Sequence, residues 1–509
     1  MNLSDSLYIA SSGLANINRG LAVVAQNVSN AGDPNYVEEV SPQTSATAGG
    51  IGMGVRTAPT VRALDAALQT AAFAQQSTAS SLATTTASLQ QIDAVQGTPG
   101  AGTDLGSLLG KLQDTFSTLA TDPSSQAQQN AVIGAAATLA QQINALAGAY
   151  QTQQQGAQDG IVADVTTANQ TLATIGGLNQ QIIALKSAGE STADLENQRD
   201  ASVAALGKLL DVRAIPQSNG AIQLVTTGGL TLPTQFTTPP LAVASATLGA
   251  GAYYPGGGIP PVTLGGVDVT QQITGGSIGA NVTLRDTTLP TYRAGLDEFS
   301  ESLSFRFEQQ GLQLFSDSTG SIPFTASPPP VQGGYLGYSS TIQVDPGVTA
   351  NPNAVRDGTG AIAGSPTGPS AFTPNPPGGP AGFTTLIQRV LTYALGSEAQ
   401  AGVPQQAPNV AGLGASGTLS LPFTAPVTLG DFATNLVSSQ AQDSAQATSE
   451  QSTANAVLTS LQAKNAATNG VSVDTEMSTM IQLQNAYAAN ARVMSGVQTM
   501  WNALLQAVQ

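Results

Sequence analysis

MNLSDSLYIASSGLANINRGLAVVAQNVSN, residues 1–30, is the stretch from which the architecture can be read. Its apolar residues fall at Leu3, Leu7, Ala10, Leu14, Ile17, Leu21, Val24 and Val28, in alternating steps of four and three. That spacing predicts a helix with one apolar seam, because side chains three and four apart share a face. At 1.5 Å per residue the seam runs roughly 40 Å. Ser, Asn and Gly fill the other faces. Gly32, Asp33, Pro34 and Asn35 supply turn chemistry, so the helix should stop near Asn30.

The far end of the chain mirrors this pattern. Met480, Leu483, Tyr487, Asn490, Met494, Val497, Trp501, Leu504 and Val508 follow the same alternation. Asn490 is the one strongly polar seam position. A buried Asn there would fix register; an Asn satisfied locally would not. At this hydrophobic content, eight apolar seam positions in a row arise by chance about once in a thousand per register. Two such runs, one at each terminus, point to helices whose stripes have partners, since unpartnered chain ends fray.

The chain has 509 residues, room for roughly three domains. Hydrophobic residues make up 41% and charged residues only 9%, against about 25% charged in an ordinary domain. The surface is therefore mostly Ser, Thr, Gln, Asn and Gly, which repels other copies weakly. Net charge is −16, from 31 acidic against 15 basic residues, with no basic run. That excludes nucleic acid as a partner, which needs clustered Lys and Arg. Cys and His are absent, so disulfides, thiolate chemistry, zinc fingers and imidazole catalysis are excluded. No apolar run approaches the ~20 residues of a membrane span, and membrane insertion is not expected. Asp5 precedes the first cation, Arg19. The basic start of a cleaved signal peptide is missing.

Between the ends the pattern changes twice. Residues 60–212 read as a helical array. Leu64, Leu68, Leu82, Leu89 and Ile92 mark one helix. Asp122-Pro123 reads as an N-cap and first-turn proline opening another towards Tyr150. Ile161, Val165, Ala168, Leu172, Ile175, Leu178, Ile182 and Leu185 mark a third, and Asp194 to Leu210 a fourth. Residues 213–284 alternate in short runs between Gly and Pro, the mark of a small antiparallel β region. Tyr292, Leu296, Phe299, Leu303 and Phe307 return the chain to helix. Residues 320–430 are rich in Pro, Gly, Thr and Ser, which predicts short strands and long loops before helix resumes at Leu429.

The expected fold class is multidomain α+β. Residues 1–45 and 440–509 would form a terminal α-helical coiled-coil assembly domain. Residues 46–212 with 285–320 would form a long-helix bundle in the middle. Residues 213–284 would be a small β domain and 321–439 a variable outer region, both inserted and β-rich. The chain goes out and returns, so its ends meet.

Sites of chemistry are scarce. Without His, no hydrolytic triad can be built. Gly412-Leu413-Gly414-Ala415-Ser416-Gly417 matches a dinucleotide fingerprint in letters. It lacks the strand before and helix after that such a loop needs, and reads as a turn. Carboxylate pairs at Glu38/Glu39, Asp194/Glu196 and Asp297/Glu298 could in principle serve a glycan hydrolase. Solvated surface is the expectation for them. Arg199, in the charged run Glu196-Asn197-Gln198-Arg199-Asp200, could clamp a carboxylate between packed elements. No catalytic, cofactor or metal site is expected.

Motifs at both ends of the chain carry a resemblance. Ser11-Ser12-Gly13-Leu14, Asn27-Val28-Ser29-Asn30-Ala31 and Asp33-Pro34-Asn35-Tyr36 resemble the N-terminal signature of bacterial flagellar axial proteins, those of rod, hook and hook-associated structures. Asn35 stands where that family usually has Gly; Asn tolerates the left-handed turn. Val473-Asp474-Thr475-Glu476-Met477, Gln484-Asn485-Ala486-Tyr487-Ala488-Ala489-Asn490-Ala491-Arg492-Val493 and Met500-Trp501-Asn502-Ala503-Leu504-Leu505 resemble its closing motif. The helical array, the Asp194–Asp200 stretch and Gly276–Asp286 are similar to the hook-associated branch at the hook–filament junction. Hook and rod proteins lack that array.

What the resemblance implies is a ring of copies of this chain between hook protein on one side and a second hook–filament junction protein on the other. The seam residues Leu3, Leu7, Leu14, Ile17, Leu21, Val24 and Val28 would pair with Met480, Leu483, Tyr487, Met494, Val497, Trp501 and Leu504 in an inner layer. Pro34, Asn35 and Tyr36 would form the turn motif. Export would be through the flagellar type III apparatus to the cell exterior, with no cleaved signal peptide and an export chaperone on the C-terminal segment. A rod or hook component is the alternative, and a secreted carboxylate-dependent glycan hydrolase a more distant one. One narrow seam buries too little to offset chain entropy, so residues 1–30 and 470–509 should be mobile in the free subunit.

Overall fold

The computed structural model describes residues 3–33, 36–48, 51–323 and 331–507. Helix α1 spans Leu3–Asn30 and ends where the Asp33 amide donates to the Asn30 carbonyl. Strands β1 (Glu39–Val40) and β4 (Val61–Arg62) pair antiparallel. Between them β2 (Gln43–Ala48) and β3 (Ile51–Thr57) form a hairpin that lies on α1. Ile51, Met53 and Val55 alternate along β3, a strand signal that sequence reasoning missed, whereas β2 carries none. Gly54 has φ +107 and sits against Ser12, whose Oγ accepts from the Val55 amide at 3.3 Å. A side chain there would be both strained and obstructed.

Four helices follow: α2 (Ala66–Gln96), α3 (Leu105–Leu119), α4 (Gln126–Ala188) and α5 (Ala193–Leu209). Asp65, Asp104 and Ser125 cap the first three. Helix α4 is 63 residues long, roughly 95 Å. Two helices were expected here, the first opening at Asp122-Pro123. The chain instead makes a turn at Asp122–Ser125 and runs unbroken from Gln126. Large apolar residues lapse between Tyr150 and Ile161, but the buried face does not. It continues through Gln154, Ala157 and Gln158. Gln154 donates to the Arg285 carbonyl and Gln158 to that of Ala244. Gln155 bonds both the Ala246 carbonyl and the Leu248 amide. Amides replace hydrocarbon because this part of α4 faces backbone that would otherwise be unpaired.

The stretch 213–284, expected to be a small antiparallel β region, holds two short sheets between 212 and 268 and ends in helix at Gly276–Thr283 rather than in strand. Strands β5 (Val212–Pro216), β6 (Ile222–Thr226) and β7 (Thr231–Leu232) form one antiparallel sheet. Strands β8 (Leu241–Ala242), β9 (Thr263–Leu264) and β10 (Val267–Asp268) form another. Helix α4 finishes their edges with asparagines. Asn179 bonds both N–H and C=O of Ile222, and Asn169 does the same for Leu241.

Helix α6 (Gly276–Thr283) passes through a π-turn into α7 (Leu289–Glu308). One apolar cluster joins α3, α7 and the first half of α4 around Phe116, Ile143, Phe299 and Phe307; a second joins the rest of α4 to α5, α6 and the two sheets around Leu172, Ile175, Leu206 and Leu224. The loop-rich segment holds β11 (Phe315–Ser316), β12 (Gln343–Val344), α8 (Pro346–Ala350), α9 (Ala354–Asp357), α10 (Thr385–Arg389), β13 (Glu398–Gln400), β14 (Val403–Pro404), β15 (Ala411–Leu413) and β16 (Leu419–Ser420). The Gly412–Gly417 stretch is the end of β15 and the turn that leads to β16.

Two long helices close the chain, α11 (Leu429–Asn469) and α12 (Val473–Ala507). Helix α11 lies along α2, with Gln96 donating to the Val437 carbonyl and Gln75 to that of Ala454. Helix α12 lies along α1. The fold is mixed α+β, dominated by long helices with small antiparallel sheets.

Candidate assembly surface and its joint

Helices α1 and α12 run antiparallel in a register that repeats every seven residues. A Cβ on Gly13 would stand 3.1 Å from Asn490 Oδ1 and one on Gly20 3.2 Å from a Leu483 methyl. Asn27 Nδ2 donates to Glu476 Oε1 at 2.9 Å. Glycine lets the two backbones approach. Ala10, Ile17, Val24 and Asn27 are buried on α1, and Glu476 and Val497 on α12.

The contact therefore uses the row Ala10–Ile17–Val24 and its small-residue flank. The opposite flank carries the large residues. Leu14, Leu21 and Val28 are half-buried and Leu7 is 39% exposed. On α12, Met480, Leu483 and Met494 are half-buried, while Tyr487, Trp501 and Leu504 are exposed. The side chains of Leu3 and Val508, and Pro34 and Asn35 altogether, lie outside the described residues. The register sets the start of α1 opposite residue 500, so Trp501, Leu504 and Leu505 run on past it. Asn490 donates to the Ala486 carbonyl of its own helix. It is satisfied locally; a polar contact that does cross the pair is Asn27–Glu476.

Asn27 is also the centre of a joint. Its Nδ2 donates to the Glu39 carbonyl, and its Oδ1 accepts from the Glu39 amide and the Tyr36 hydroxyl. Burial and the neighbouring Glu39 and Asp194 push the Tyr36 hydroxyl well above its ordinary range. From the other side, Asn197 on α5 bonds both N–H and C=O of Val37 and donates to Glu39 Oε1. The Glu38 amide between them donates to the Asn469 carbonyl at the end of α11, and its carbonyl accepts from Ala63. Burial and Glu476 raise the Glu38 carboxyl; burial and Asp194 raise that of Glu39, against Arg62 and the bonds from Asn197 and Tyr36. Residues 36–39 thus form a strap held by α1, α5 and α11 together.

Arg199 does not clamp a carboxylate. It donates to Asn179 Oδ1 and the Gly220 carbonyl. Glu196 and Asp200, four apart on one helix face, turn the other way and bind Arg62, at 3.0 Å and 2.5 Å. The charged run is an anchor for β4, and a cation from distant sequence supplies its counter-charge.

The expectation that the acidic pairs are solvated fails for Glu39, Asp297 and Glu298, which are buried. Asp297 accepts from the Gly337 and Ser339 amides and from Ser339 Oγ. Glu298 accepts from the Tyr335 hydroxyl and the Asn409 amide. Burial raises both carboxyls. Adjacent on α7, they point apart, and each fastens a loop rather than facing its neighbour across a cleft. Asp194 is exposed and accepts from Gln26 and Gln198. Among the described residues, no group of three or more Asp or Glu could hold a metal, and no helix is long and apolar enough to cross a membrane.

A family model described as the flagellar hook-associated protein FlgK helical domain matches residues 89–321. One described as the flagellar basal body rod FlgEFG protein C-terminal matches residues 466–507. Flagellar hook-associated protein 1 of Salmonella typhimurium is 27% identical over 323 residues, covering 60% of this chain and 56% of the relative. Over that stretch the chain is similar to flagellar hook-associated protein 1. The Escherichia coli protein of that name is 26% identical over 323 residues, covering 57% of its length. This chain thus spans little more than half the length of the curated relatives it matches. A solved structure of the flagellar hook junction protein FlgK from Burkholderia pseudomallei aligns with a TM-score of 0.39 and 24% identity, over 50% of this chain and 45% of that one.

The first family match runs from the end of α2 through α7 with both small sheets, and the second covers the end of α11 and all of α12. Sequence reasoning named the two terminal seams but missed the strap. The signals for it were present as isolated letters: Asn27, Glu39, Arg62, Asn197 and Asn469. Nothing in their spacing says that they converge.

Proposed function

We propose that this chain is a structural subunit of the flagellar axis that connects hook to filament, without catalytic activity. The observation that carries this reading is the α1–α12 pair. It closes along Ala10–Ile17–Val24 with Gly13 and Gly20 on α1 and along Glu476–Leu483–Asn490–Val497 on α12, and leaves Leu7, Tyr487, Trp501 and Leu504 exposed, with Leu14 and Leu21 only partly covered. Neighbouring copies in a ring bury those residues as a coiled-coil inner layer. Segments 1–45 and 440–509 act as the assembly domain, 46–212 with 285–320 as the helical middle, 213–284 as the small β domain and 321–439 as the outer region. Hook protein and a second junction protein are the neighbours along the axis. The chain is exported without a cleaved signal peptide, with a chaperone shielding the apolar Met480–Leu505 face. Electron microscopy of a deletion strain tests this. Hooks without filaments, with flagellin shed to the medium, support the junction role. Loss of the hook itself assigns the chain to hook or rod instead, and attached filaments refute both.

A further inference from the structure

The backbone polar groups of Val37, Glu38 and Glu39 are claimed by three different helices and by Ala63. Asn197 of α5 takes both groups of Val37. Asn27 of α1 takes both groups of Glu39. Glu38 is shared between the last residue of α11 and Ala63. Two asparagine amides thus stand where neighbouring strands would, and they belong to the two bodies that the strap connects. Around them, Gln26 donates to Asp194, Arg62 binds Glu196 and Asp200, and the Asp65 amide donates to Asn469 Oδ1.

We propose that Asn27 and Asn197 are positioning residues, which pin the strap 36–39 from opposite sides and so set the terminal helix pair at a defined orientation on the helical body. Without them the seams remain, but they meet neighbouring copies from no fixed direction. Burial makes this specific. Tyr36, Val37 and Glu39 are all buried, so a peptide group left unbonded there has no water to turn to. The role in assembly rests on the proposed junction function; the pinning does not.

Hydrogen exchange on the free full-length chain tests the pinning. Asn197→Ala should speed exchange of the 36–40 amides by about tenfold while α4 and α7 keep their protection. Unchanged exchange at 36–40, or loss spread evenly over α4 and α7, would overturn the proposal. A donor swap guards against a variant that merely unfolds. Asn197→Asp sets a carboxylate against Glu39 and the Val37 carbonyl and should loosen the strap; adding Glu39→Gln returns a donor to the first contact only and should recover part of the lost protection. No recovery would overturn the pairing. In cells, Asn197→Ala should be exported normally yet leave most hooks bare. Full filament retention despite a loosened strap would refute the positioning role and leave the junction function to be judged by the deletion strain.

Discussion

Helices α4 and α12 carry the same kind of apolar period and meet opposite fates. Along α4, Ile143, Leu172 and Ile175 are fully buried. Along α12, Val497 is the one large apolar residue counted as buried among the described residues, and Trp501 is 48% exposed. The difference lies in the neighbours. Helix α4 packs against α3, α5, α6 and α7, whereas α12 has α1. A seam states that something must cover it; it does not state whether the cover comes from the same chain.

Truncation inside the body should give the largest effect. Phe299 is fully buried against Phe432, ring centroids 5.6 Å apart. Phe299→Ala should cost about 3–5 kcal/mol in a denaturant melt. A loss below about 1 kcal/mol would erase the contrast with the termini.

A pH-dependent effect comes next. Burial, and then Glu298, push the Glu301 carboxyl up to about 7. Its folded value lies above the unfolded one, so its contribution is complete below about pH 4.5 and is lost as pH rises through 7. Glu301→Gln should therefore raise stability by about 2 kcal/mol at pH 8, allowing for partial exposure, and change it little at pH 4. A gain that is equal at both pH values would contradict this burial.

Gly20→Leu should act on the terminal pair alone. The new side chain meets Leu483 and should cost about 1–2 kcal/mol of helix pairing. Faster exchange over 476–497 with an unchanged melt of α4 would show it; a melt that falls as a whole would tie the ends to the body more tightly than the packing implies. In the unsubstituted chain, 3–14 and 490–507 should exchange faster than α4, with the strap between them in rate. Strong protection at both tips would remove the need for neighbouring copies.

Leu504→Asp should have the smallest effect on the free chain, within about 0.5 kcal/mol, because the side chain is exposed. In cells it should abolish filament attachment. Normal attachment would break the assignment of the large-residue row to assembly.

The long helices and the short strands between 212 and 268 were legible from periodicity, because apolar spacing reports which face an element can bury; the helix at Gly276–Thr283 was not. Nor was the unbroken course of α4. Gln154 and Gln158 serve a buried face with amides, and polar letters look like an interruption. The burial of Asp297 and Glu298 was hidden for a related reason: their partners come from 335–339 and 409, distant in sequence.

Period, composition and the two end motifs were enough to say that this chain is helical at its extremities, devoid of imidazole and thiol chemistry, and related to flagellar axial proteins. Only the tertiary structure decided which rows of each seam close within the chain, and that Asn27, Glu39, Arg62 and Asn197 meet at one strap. Spacing along a helix constrains a direction, but two rows 100° or less apart are both apolar, and the choice between them falls to whichever backbone can come closer. Glycine at 13 and 20 made that choice.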